Sequence, residues 1–407
     1  MPTIILAQAQ SLSLELRIPL SVMNFLEFAI WGAWFVVLGN YLNSLNFSRK
    51  DIGRIYATMP LGSIVSPMFI GAIADRYFAS EQLMGVLHLM GAGLLLWMAN
   101  IRTSRLFYWV SLAYALVYSP TLSLSNAVIF ANVPASLNFP EIRVLGTIGW
   151  IVAGMSLWFF IKPGHDVNNR PMLLAAILSL VLGVYSFFLP HTPPRADASG
   201  EIPFIKAFNL LSEPSFAVFF GVSFLITLAL AFYYSFTALF LEKGVKVKPE
   251  YVSSVMTIGQ WVEIFFMLTL PWFLKELGMK WVLFIGMAAW GVRYAIFAFQ
   301  PGFALILLGI ALHGICFDFF FAAGFIHVEN TAGADIKASA QSLFGVLTYG
   351  AGMWLGTEAS GWLNQWCTQE KTDPATGAKT RETNWTRFWT VPALGVAVSL
   401  VLFALLF

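Results

Sequence analysis

The sequence predicts an all-α membrane protein in which twelve transmembrane helices form two six-helix bundles. Of its 407 residues, 58% are hydrophobic, 16% aromatic and only 11% charged, and a water-soluble core cannot hide so much apolar surface. Twelve apolar stretches reach the length of about 20 residues that spans a bilayer. A hydrophilic break at 191–213 leaves six of these stretches on each side.

Each apolar stretch is predicted to be one spanning helix. In the first half they are 18–42, 51–74, 82–100, 105–131, 141–162 and 172–190. In the second half they are 214–242, 250–274, 280–299, 302–328, 336–364 and 386–407. The predicted domains are therefore an N-terminal bundle over 18–190, a central cytoplasmic loop over 191–213 and a C-terminal bundle over 214–407. This layout is typical of transporters built from two parallel repeats, with the binding site between them near the bilayer midplane.

The orientation of the chain cannot be read from its charges. An even number of helices puts both termini on one side, and lysine and arginine should be enriched in the cytoplasmic links. With cytoplasmic termini, however, the links outside carry more lysine and arginine than the links inside. The charge rule thus favours the opposite orientation, and the conflict stays open at this level.

Several functional classes find no support in the sequence. A formal net charge of +2 gives no reason to expect a nucleic-acid partner. The chain has no H-E-x-x-H, no G-x-S-x-G and no Walker loop, so we predict neither an enzyme nor a bound metal or cofactor. The two cysteines, Cys316 in the tenth predicted helix and Cys367 in a polar link, are expected at different depths and hence unpaired. The link at 365–385 reads as a solvated connection.

Ionisable residues within predicted spans are functional candidates because they are costly there. In the fifth helix, Arg143, Thr147 and Trp150 fall at i, i+4 and i+7, and so share one face. A guanidinium, a hydroxyl and an indole together suit a polar, ring-shaped ligand. The alternative is that Arg143, one turn after Pro140, extends to the membrane interface as an anchor.

The eighth helix carries the clearest candidate for proton coupling. Gln260 and Glu263 lie three residues apart in TIGQWVEIFF, on one face in mid-span. Burial away from water favours the protonated form of a carboxyl group. Glu263 could therefore hold a proton and release it when a water path or a cation arrives. The alternative is a protonated acid that is hydrogen-bonded to another helix.

In the tenth helix, ALHGICFDFFFAAG places His313 and Phe317 on one stripe, with Asp318 about 100° away from Phe317. An aspartate among aromatic residues needs a partner, and Arg293 of the ninth helix is the available base. A structural ion pair and a coupling role are both open for Asp318, and His313 could be either a packing residue or a ligand contact.

Three further residues are possible contributors. In the first helix, Glu27 shares a face with Trp31 and Trp34, and it could be functional or simply bonded to a neighbouring helix. In the seventh helix, Tyr233 and Tyr234 could offer hydroxyls to a ligand or belong to an interfacial aromatic belt.

Six segments together resemble a known family. These are FLEFAIWGAWFVVLG (25–39), YSPTLSLSN (118–126), FPEIRVLGTIGWI (139–151), GQWVEIFF (259–266), GICFDFFF (314–321) and KASAQSLF (337–344). In order and spacing they resemble the bacterial nucleoside permeases of the nucleoside:proton symporter family, a branch of the major facilitator superfamily. The likeness covers the chain from about Ser21 to about Gly361.

The resemblance implies roles for residues that match the family pattern. Arg143, Thr147 and Trp150 match its nucleoside contacts, with tryptophan in place of phenylalanine. Gln260 and Glu263 match its eighth-helix pair, and Phe317 and Asp318 its tenth-helix pair, the acids being implicated in proton coupling. The family's seventh-helix glutamine and asparagine fall at Ala231 and Tyr234, and its tenth-helix tyrosine falls at His313. Because a site built for hydrogen bonds rejects ligands that lack the partner, these departures bear on which solute is carried.

The combined reading is a secondary active transporter that takes up nucleosides with protons by alternating access. A proton-coupled carrier for another polar solute, such as a sugar or nucleobase derivative, is the alternative. The resemblance implies a monomer in the inner (cytoplasmic) membrane with cytoplasmic termini. The expected partners are a nucleoside-like small molecule, the proton and the lipid bilayer.

Overall fold

The computed structural model describes residues 13–66, 78–132, 139–193, 211–331, 337–372 and 379–407, and it places a helix at each of the twelve predicted stretches. We label these helices α1 to α12. In the first half they are α1 (Leu14–Trp34, continued as Leu38–Ser44), α2 (Arg49–Tyr56 and Thr58–Ser66), α3 (Ser80–Met98), α4 (Ser104–Asn132), α5 (Phe139–Phe160) and α6 (Arg170–Ser186). Positions 67–74 of the second predicted stretch, and 194–210 of the predicted central loop, lie outside the described residues.

The second half contains α7 to α12 and one β-hairpin. The helices are α7 (Pro214–Leu239, ending in a π-helical turn at Phe240–Gly244), α8 and α9 (249–277 and 279–299, within Pro249–Phe299), α10 (Phe303–Ala311, His313–Cys316, Phe317–Ala322 and Ala323–Thr331), α11 (Lys337–Gly345, Val346–Gly352 and Met353–Trp366) and α12 (Trp385–Leu406). The hairpin consists of β1 (Thr368–Thr372) and β2 (Lys379–Thr383).

These helices confirm the prediction of an all-α membrane protein. Within the described part of the chain, eight helices are long and apolar enough to cross a membrane, and one of them, Pro249–Phe299, contains both α8 and α9. That helix is interrupted at Gly278, whose φ of 77° and ψ of 163° are non-helical. Glycine adopts such a conformation without the steric cost that other residues have.

The two halves of the molecule contact each other through two pairs of helices. In the first half α1 packs against α5 and α6, and α3 against α4 and α6, while in the second half α7 packs against α11 and α12. Between the halves, α2 packs against α11 and α5 against α8. The α2–α11 contact is backbone to backbone, since a methyl group on Gly53 would lie 2.5 Å from the Cα atom of Gly361. The domain boundaries at 190 and 214 stay a prediction.

The link between α11 and α12 contains a β-hairpin, which the sequence did not predict, although the described side chains of the hairpin are exposed or half-buried. Strands β1 and β2 pair antiparallel, with Glu370 opposite Arg381. The guanidinium of Arg381 donates to the carbonyl oxygen of Phe47 at 2.9 Å and to that of Asn46 at 3.3 Å. The hairpin therefore lies on the link between α1 and α2 and ties the second half to the first.

Polar contacts join the halves on the same side as the hairpin. The Asn40 amide of α1 donates to the Ala238 carbonyl oxygen at 3.1 Å and to the Glu242 carboxylate of α7. Lys243 pairs with Asp166 of the α5–α6 link at 3.0 Å. On this side of the molecule, α1, α7 and the α5–α6 link are thus held together.

Candidate functional site

The α5 stripe is held in place by α1. The Asn24 amide donates to the carbonyl oxygens of Ile142 at 2.9 Å and Arg143 at 3.1 Å. The Arg143 guanidinium lies 4.1 Å from the centre of the Phe28 ring, and its Nη1 atom lies near Gly146, further along α5. Arg143 therefore packs on α1. Thr147 is half-buried on the same helix.

Trp150, the third member of the stripe, lines a narrow cavity between the two halves. Its ring packs edge-on against Trp31 of α1, with the centroids 5.4 Å apart. The opposite wall belongs to α7 and α8. The lining residues are Val36, Trp150, Tyr233, Tyr234, Ser253, Met256, Thr257 and Gln260. A larger hollow lined by Val245, Lys246, Tyr251 and Phe303 is separate from it and contains none of the candidate residues.

Several buried polar atoms of this cavity lack a partner. They are the hydroxyl groups of Tyr233 and Ser253 and the Oε1 atom of Gln260, none of which has a hydrogen bond among the described residues. Buried polar atoms in proteins are almost always satisfied, so these three can bind polar groups of a ligand. Tyr233 is fully buried and is therefore not part of an interfacial aromatic belt.

His313 lies between Glu263 and Arg293. Its ring stacks on Tyr233, with centroids 5.1 Å apart and planes 14° apart, and its Nε2 atom is 3.9 Å from Oε2 of Glu263. Glycine makes this arrangement possible, because a methyl group on Gly314 would lie 2.6 Å from the Glu263 nitrogen. The backbones of α8 and α10 thus meet where the acid and the imidazole face each other.

The predicted pairing of Arg293 with Asp318 is wrong. The Arg293 Nε atom donates to the Gly309 carbonyl oxygen at 2.9 Å, and Nη1 lies 3.5 Å from Nδ1 of His313. The guanidinium also lies over the Tyr233 ring, 4.4 Å from its centre. A carbonyl oxygen and aromatic faces compensate part of the cost of this buried guanidinium, while its Nη2 atom has no hydrogen-bond partner among the described residues.

Asp318 is fully buried and has no hydrogen-bond partner among the described residues. It lies within electrostatic range of Glu263, as does Arg143. Sequence reasoning missed Tyr349 of α11, which lies within electrostatic range of Glu263, Asp318 and Arg143. A tyrosine in the glycine-rich segment LTYGAG was the available signal.

Two π-helical turns carry parts of this acidic cluster. Phe317–Ala322 contains Asp318, and Val346–Gly352 contains Tyr349. Such turns are rare and occur frequently at functional sites. The Phe317 ring packs against His313 and Phe321, at centroid distances of 5.8 and 5.7 Å, and is absent from the residues that line the cavity with Trp150.

Glu27 belongs to a different cluster. It is fully buried and lies 2.8 Å from His88 of α3, a residue that sequence reasoning did not single out. The two cysteines, Cys316 and Cys367, are both free thiols, as predicted.

Comparison with known proteins places the chain in a family. A family model described as Nucleoside H+ symporter matches residues 14–407. The chain belongs to the nucleoside:H+ symporter family. Relatives of this symporter in Escherichia coli K12 include YegT, 39% identical over 95% of this chain and 93% of its own length. Another is the xanthosine permease, 33% identical over 86% of this chain and 88% of its own length.

Solved structures agree with that assignment. The structure of the nucleoside transporter NupG superposes on this symporter with a TM-score of 0.85 at 30% identity, covering 96% of this chain and 98% of NupG. A D-xylose:proton symporter with 14% identity and a TM-score of 0.69 shares the fold alone. This symporter is thus a multi-pass membrane transporter of the major facilitator fold, as predicted, and not an enzyme.

Proposed function

We propose that this symporter binds a nucleoside between the residues that line the narrow cavity beside Trp150, which widens when the two halves move apart, and that it uses the entry of a proton to drive uptake. The observation that carries the proposal is the convergence of unpartnered polar atoms and aromatic faces in one buried place. The Tyr233 hydroxyl, the Ser253 hydroxyl and the Gln260 oxygen all border the cavity that the Trp150 ring lines. A nucleoside presents a planar base with polar edges and a sugar with hydroxyls, so it can use both kinds of contact.

In this proposal the α5 stripe and α8 recognise the ligand. Trp150 stacks on the base, while Arg143, Thr147 and Gln260 hydrogen-bond its polar edges or the sugar. The resemblance matches Phe317 to the aromatic residue of the family's tenth-helix pair. Since the Phe317 ring packs on His313, we assign Phe317 and His313 to the wall of the site that lies opposite Trp150. In this arrangement Tyr234 is between that wall and Trp150.

Proton coupling follows from the charges around Glu263. When Glu263 is ionised, its charge attracts the guanidinium of Arg143. Protonation of Glu263 removes that attraction, and the guanidinium can then donate to acceptor atoms of the ligand. Proton and nucleoside therefore bind best together, which is the condition for symport. Asp318, which lies near Glu263, would be the second acid of the relay, since two neighbouring carboxylates do not both ionise readily.

The departures from the family pattern decide which solute is carried. Ala231 packs against α11, because a methyl group on Gly356 would lie 2.6 Å from its Cβ atom. The polar contacts from α7 therefore come from Tyr233 and Tyr234, which offer hydroxyls in place of amides. This favours ligands with acceptor groups and keeps a sugar or nucleobase derivative as the alternative substrate. Competition of uptake by a panel of such solutes separates the two.

We further propose a monomer in the lipid bilayer of the inner membrane, with cytoplasmic termini. Several cations that the charge rule counts against this orientation have protein partners. Arg49 donates to Asn43 at 2.6 Å, Arg54 pairs with Glu358 at 3.6 Å, and Lys50 lies 3.6 Å above the Trp362 ring. Their positions thus have a structural reason that is independent of orientation.

The experiment that tests the proposed function is uptake of radiolabelled uridine and adenosine into proteoliposomes with an inward proton gradient. We expect saturable accumulation above the external concentration that a protonophore abolishes. Accumulation that is insensitive to the protonophore would refute proton coupling. Absence of uptake for both nucleosides, in liposomes where the protein is folded, would refute the nucleoside assignment.

A further inference from the structure

Glu27 and His88 form a closed acid–base pair inside the first half of the molecule. Oε2 of Glu27 lies 2.8 Å from Nε2 of His88, and both side chains are almost entirely removed from solvent. Oε1 lies 2.6 Å from the hydroxyl oxygen of Thr121 in α4. Ionisable groups inside a membrane are costly, and a buried ion pair gives little net stability. The pair therefore calls for a chemical role.

The hydrogen bonds around His88 place one of its protons. The Ser179 hydroxyl of α6 donates to the carbonyl oxygen of His88 at 2.9 Å, and its oxygen lies 3.3 Å from Nδ1 of the same residue. Because the hydroxyl hydrogen is already used, the oxygen accepts and Nδ1 carries a hydrogen. A single proton then lies between Nε2 and the Glu27 carboxyl group, and the pair is neutral overall whichever atom holds it.

Thr121 gives the cluster room for one more proton. Its hydroxyl oxygen lies 2.6 Å from Oε1 of Glu27 and 2.7 Å from the carbonyl oxygen of Tyr118, but a hydroxyl has one hydrogen to donate. While it donates to Oε1, Glu27 and His88 share a single proton. When the Thr121 hydroxyl turns to the carbonyl oxygen of Tyr118, Oε1 of Glu27 can bind a second proton. The protonated Oε1 then donates a hydrogen bond to the Thr121 oxygen. The new O–H bond forms without movement of any heavy atom.

We propose that Glu27 and His88 form a second proton-binding site of the transport cycle, separate from Glu263 and Asp318. This inference rests on the proposed function, because it adds a proton to the coupling. The doubly protonated cluster carries one positive charge. Within the part of the chain that the structure describes, the titratable groups that face the pair are the phenols of Tyr118 and Tyr114 on α4.

Contacts with the substrate cavity give this site a route to the transport cycle. The Tyr118 hydroxyl donates to the carbonyl oxygen of Glu27 at 2.8 Å, and the Tyr118 ring packs edge-on against Trp31 at 6.2 Å. Trp31 in turn packs against Trp150 of the cavity. Protonation at Glu27 therefore acts on the same segment of α1 that supports the ligand-binding face of α5.

The test compares the number of protons that enter with each nucleoside in proteoliposomes, using a trapped pH-sensitive dye and radiolabelled uridine together. The double variant Glu27→Gln/His88→Gln keeps two side chains that can hydrogen-bond to each other and to Thr121, but neither can take up a proton, whereas the single change at Glu27 would leave His88 able to bind one at Nε2. We expect its ratio of protons to uridine to fall by one relative to the wild type. An unchanged ratio and an unchanged pH profile of uptake would overturn the proposal.

A pair of variants at Thr121 tests whether its hydroxyl group has to turn between Glu27 and Tyr118, while leaving Glu27 and His88 in place. Thr121→Val removes the hydroxyl at nearly constant volume, and Thr121→Ser retains it. We expect the valine variant to lose the same proton and the serine variant to keep it; equal ratios in the two would overturn this role of the hydroxyl group. If the wild type shows no proton-driven uptake, the proposed function fails. If the wild type is coupled and all three variants match it, only the second site fails.

Discussion

Replacing Gly149 by alanine tests whether the close contact between α1 and α5 sets the geometry of the cavity. A methyl group at Gly149 would lie 2.1 Å from the carbonyl oxygen of Phe25 and 2.9 Å from the carbonyl carbon. These atoms belong to the backbone and cannot rotate away. Since such a contact is far inside van der Waals distance, α1 and α5 have to separate by about 1 Å.

The expected decrease in the free energy of unfolding is the difference between two opposing effects. Overpacking of this kind costs about 1–3 kcal/mol, and alanine returns up to about 1 kcal/mol through its higher helix propensity. Trp150 is the next residue in α5, and Arg143 lies on Phe28 of α1, so the separation also displaces two of the proposed ligand contacts. A loss of about 1.4 kcal/mol in binding corresponds to a Kd that is ~10-fold higher.

The assay is titration calorimetry with uridine together with thermal unfolding of the purified protein. Gly93→Ala is the matched control, because Gly93 is exposed in a spanning helix and a methyl group there would meet nothing within 4 Å. We expect weaker binding and lower stability for Gly149→Ala alone. If the two variants have the same Kd and the same stability, the contact between α1 and α5 does not set the cavity.

Three further predictions address proton coupling by Glu263, the positioning of Arg143 by Phe28, and the attachment of the hairpin to the α1–α2 link. Glu263→Gln should keep uridine binding and exchange but lose uphill uptake. The control Glu276→Gln, at an exposed position of the same helix, should transport normally. Concentrative uptake by Glu263→Gln would show that Glu263 has no role in proton coupling. Phe28→Leu removes a cation–π contact with Arg143 of about 0.5–2 kcal/mol and should raise the Kd for uridine by up to ~30-fold. Phe28→Tyr keeps an aromatic ring and should restore the affinity. Equal affinity of the two variants would contradict a role of Phe28 in positioning Arg143. Arg381→Gln removes the hydrogen bonds between the hairpin and the α1–α2 link and should speed amide hydrogen exchange in both segments. Unchanged exchange rates would show that these bonds do not hold the hairpin on the link.

Predictions of which residues lie together were correct where all of these residues share one face of a single helix. The spacing of Arg143, Thr147 and Trp150 placed them on one stripe, and the structure puts Trp150 on the cavity and Arg143 on α1. Gln260 and Glu263 likewise face α5, α7 and α10. Their functional roles stay predictions, but periodicity was sufficient to find them, because the repeat of a helix determines which side chains point the same way.

Predictions failed where the partner of a buried charged residue depends on how two helices pack. Arg293 was matched with Asp318 because their charges are opposite, yet the close approach of α9 and α10 brings Gly309 and His313 to the guanidinium instead. His88 lies 61 residues from Glu27, and nothing in the local sequence links them.

Composition and apolar length reflect the bilayer directly and the family motifs are local, so the sequence was sufficient to identify a helical membrane transporter of the nucleoside:H+ symporter family. The contacts between helices became visible only in the fold: the Glu27–His88 pair, Tyr349 within electrostatic range of the acids, and the hairpin on the α1–α2 link. Helix periodicity specifies which residues share a face, but the helix that packs against this face depends on where glycines such as Gly149 and Gly314 allow two backbones to approach.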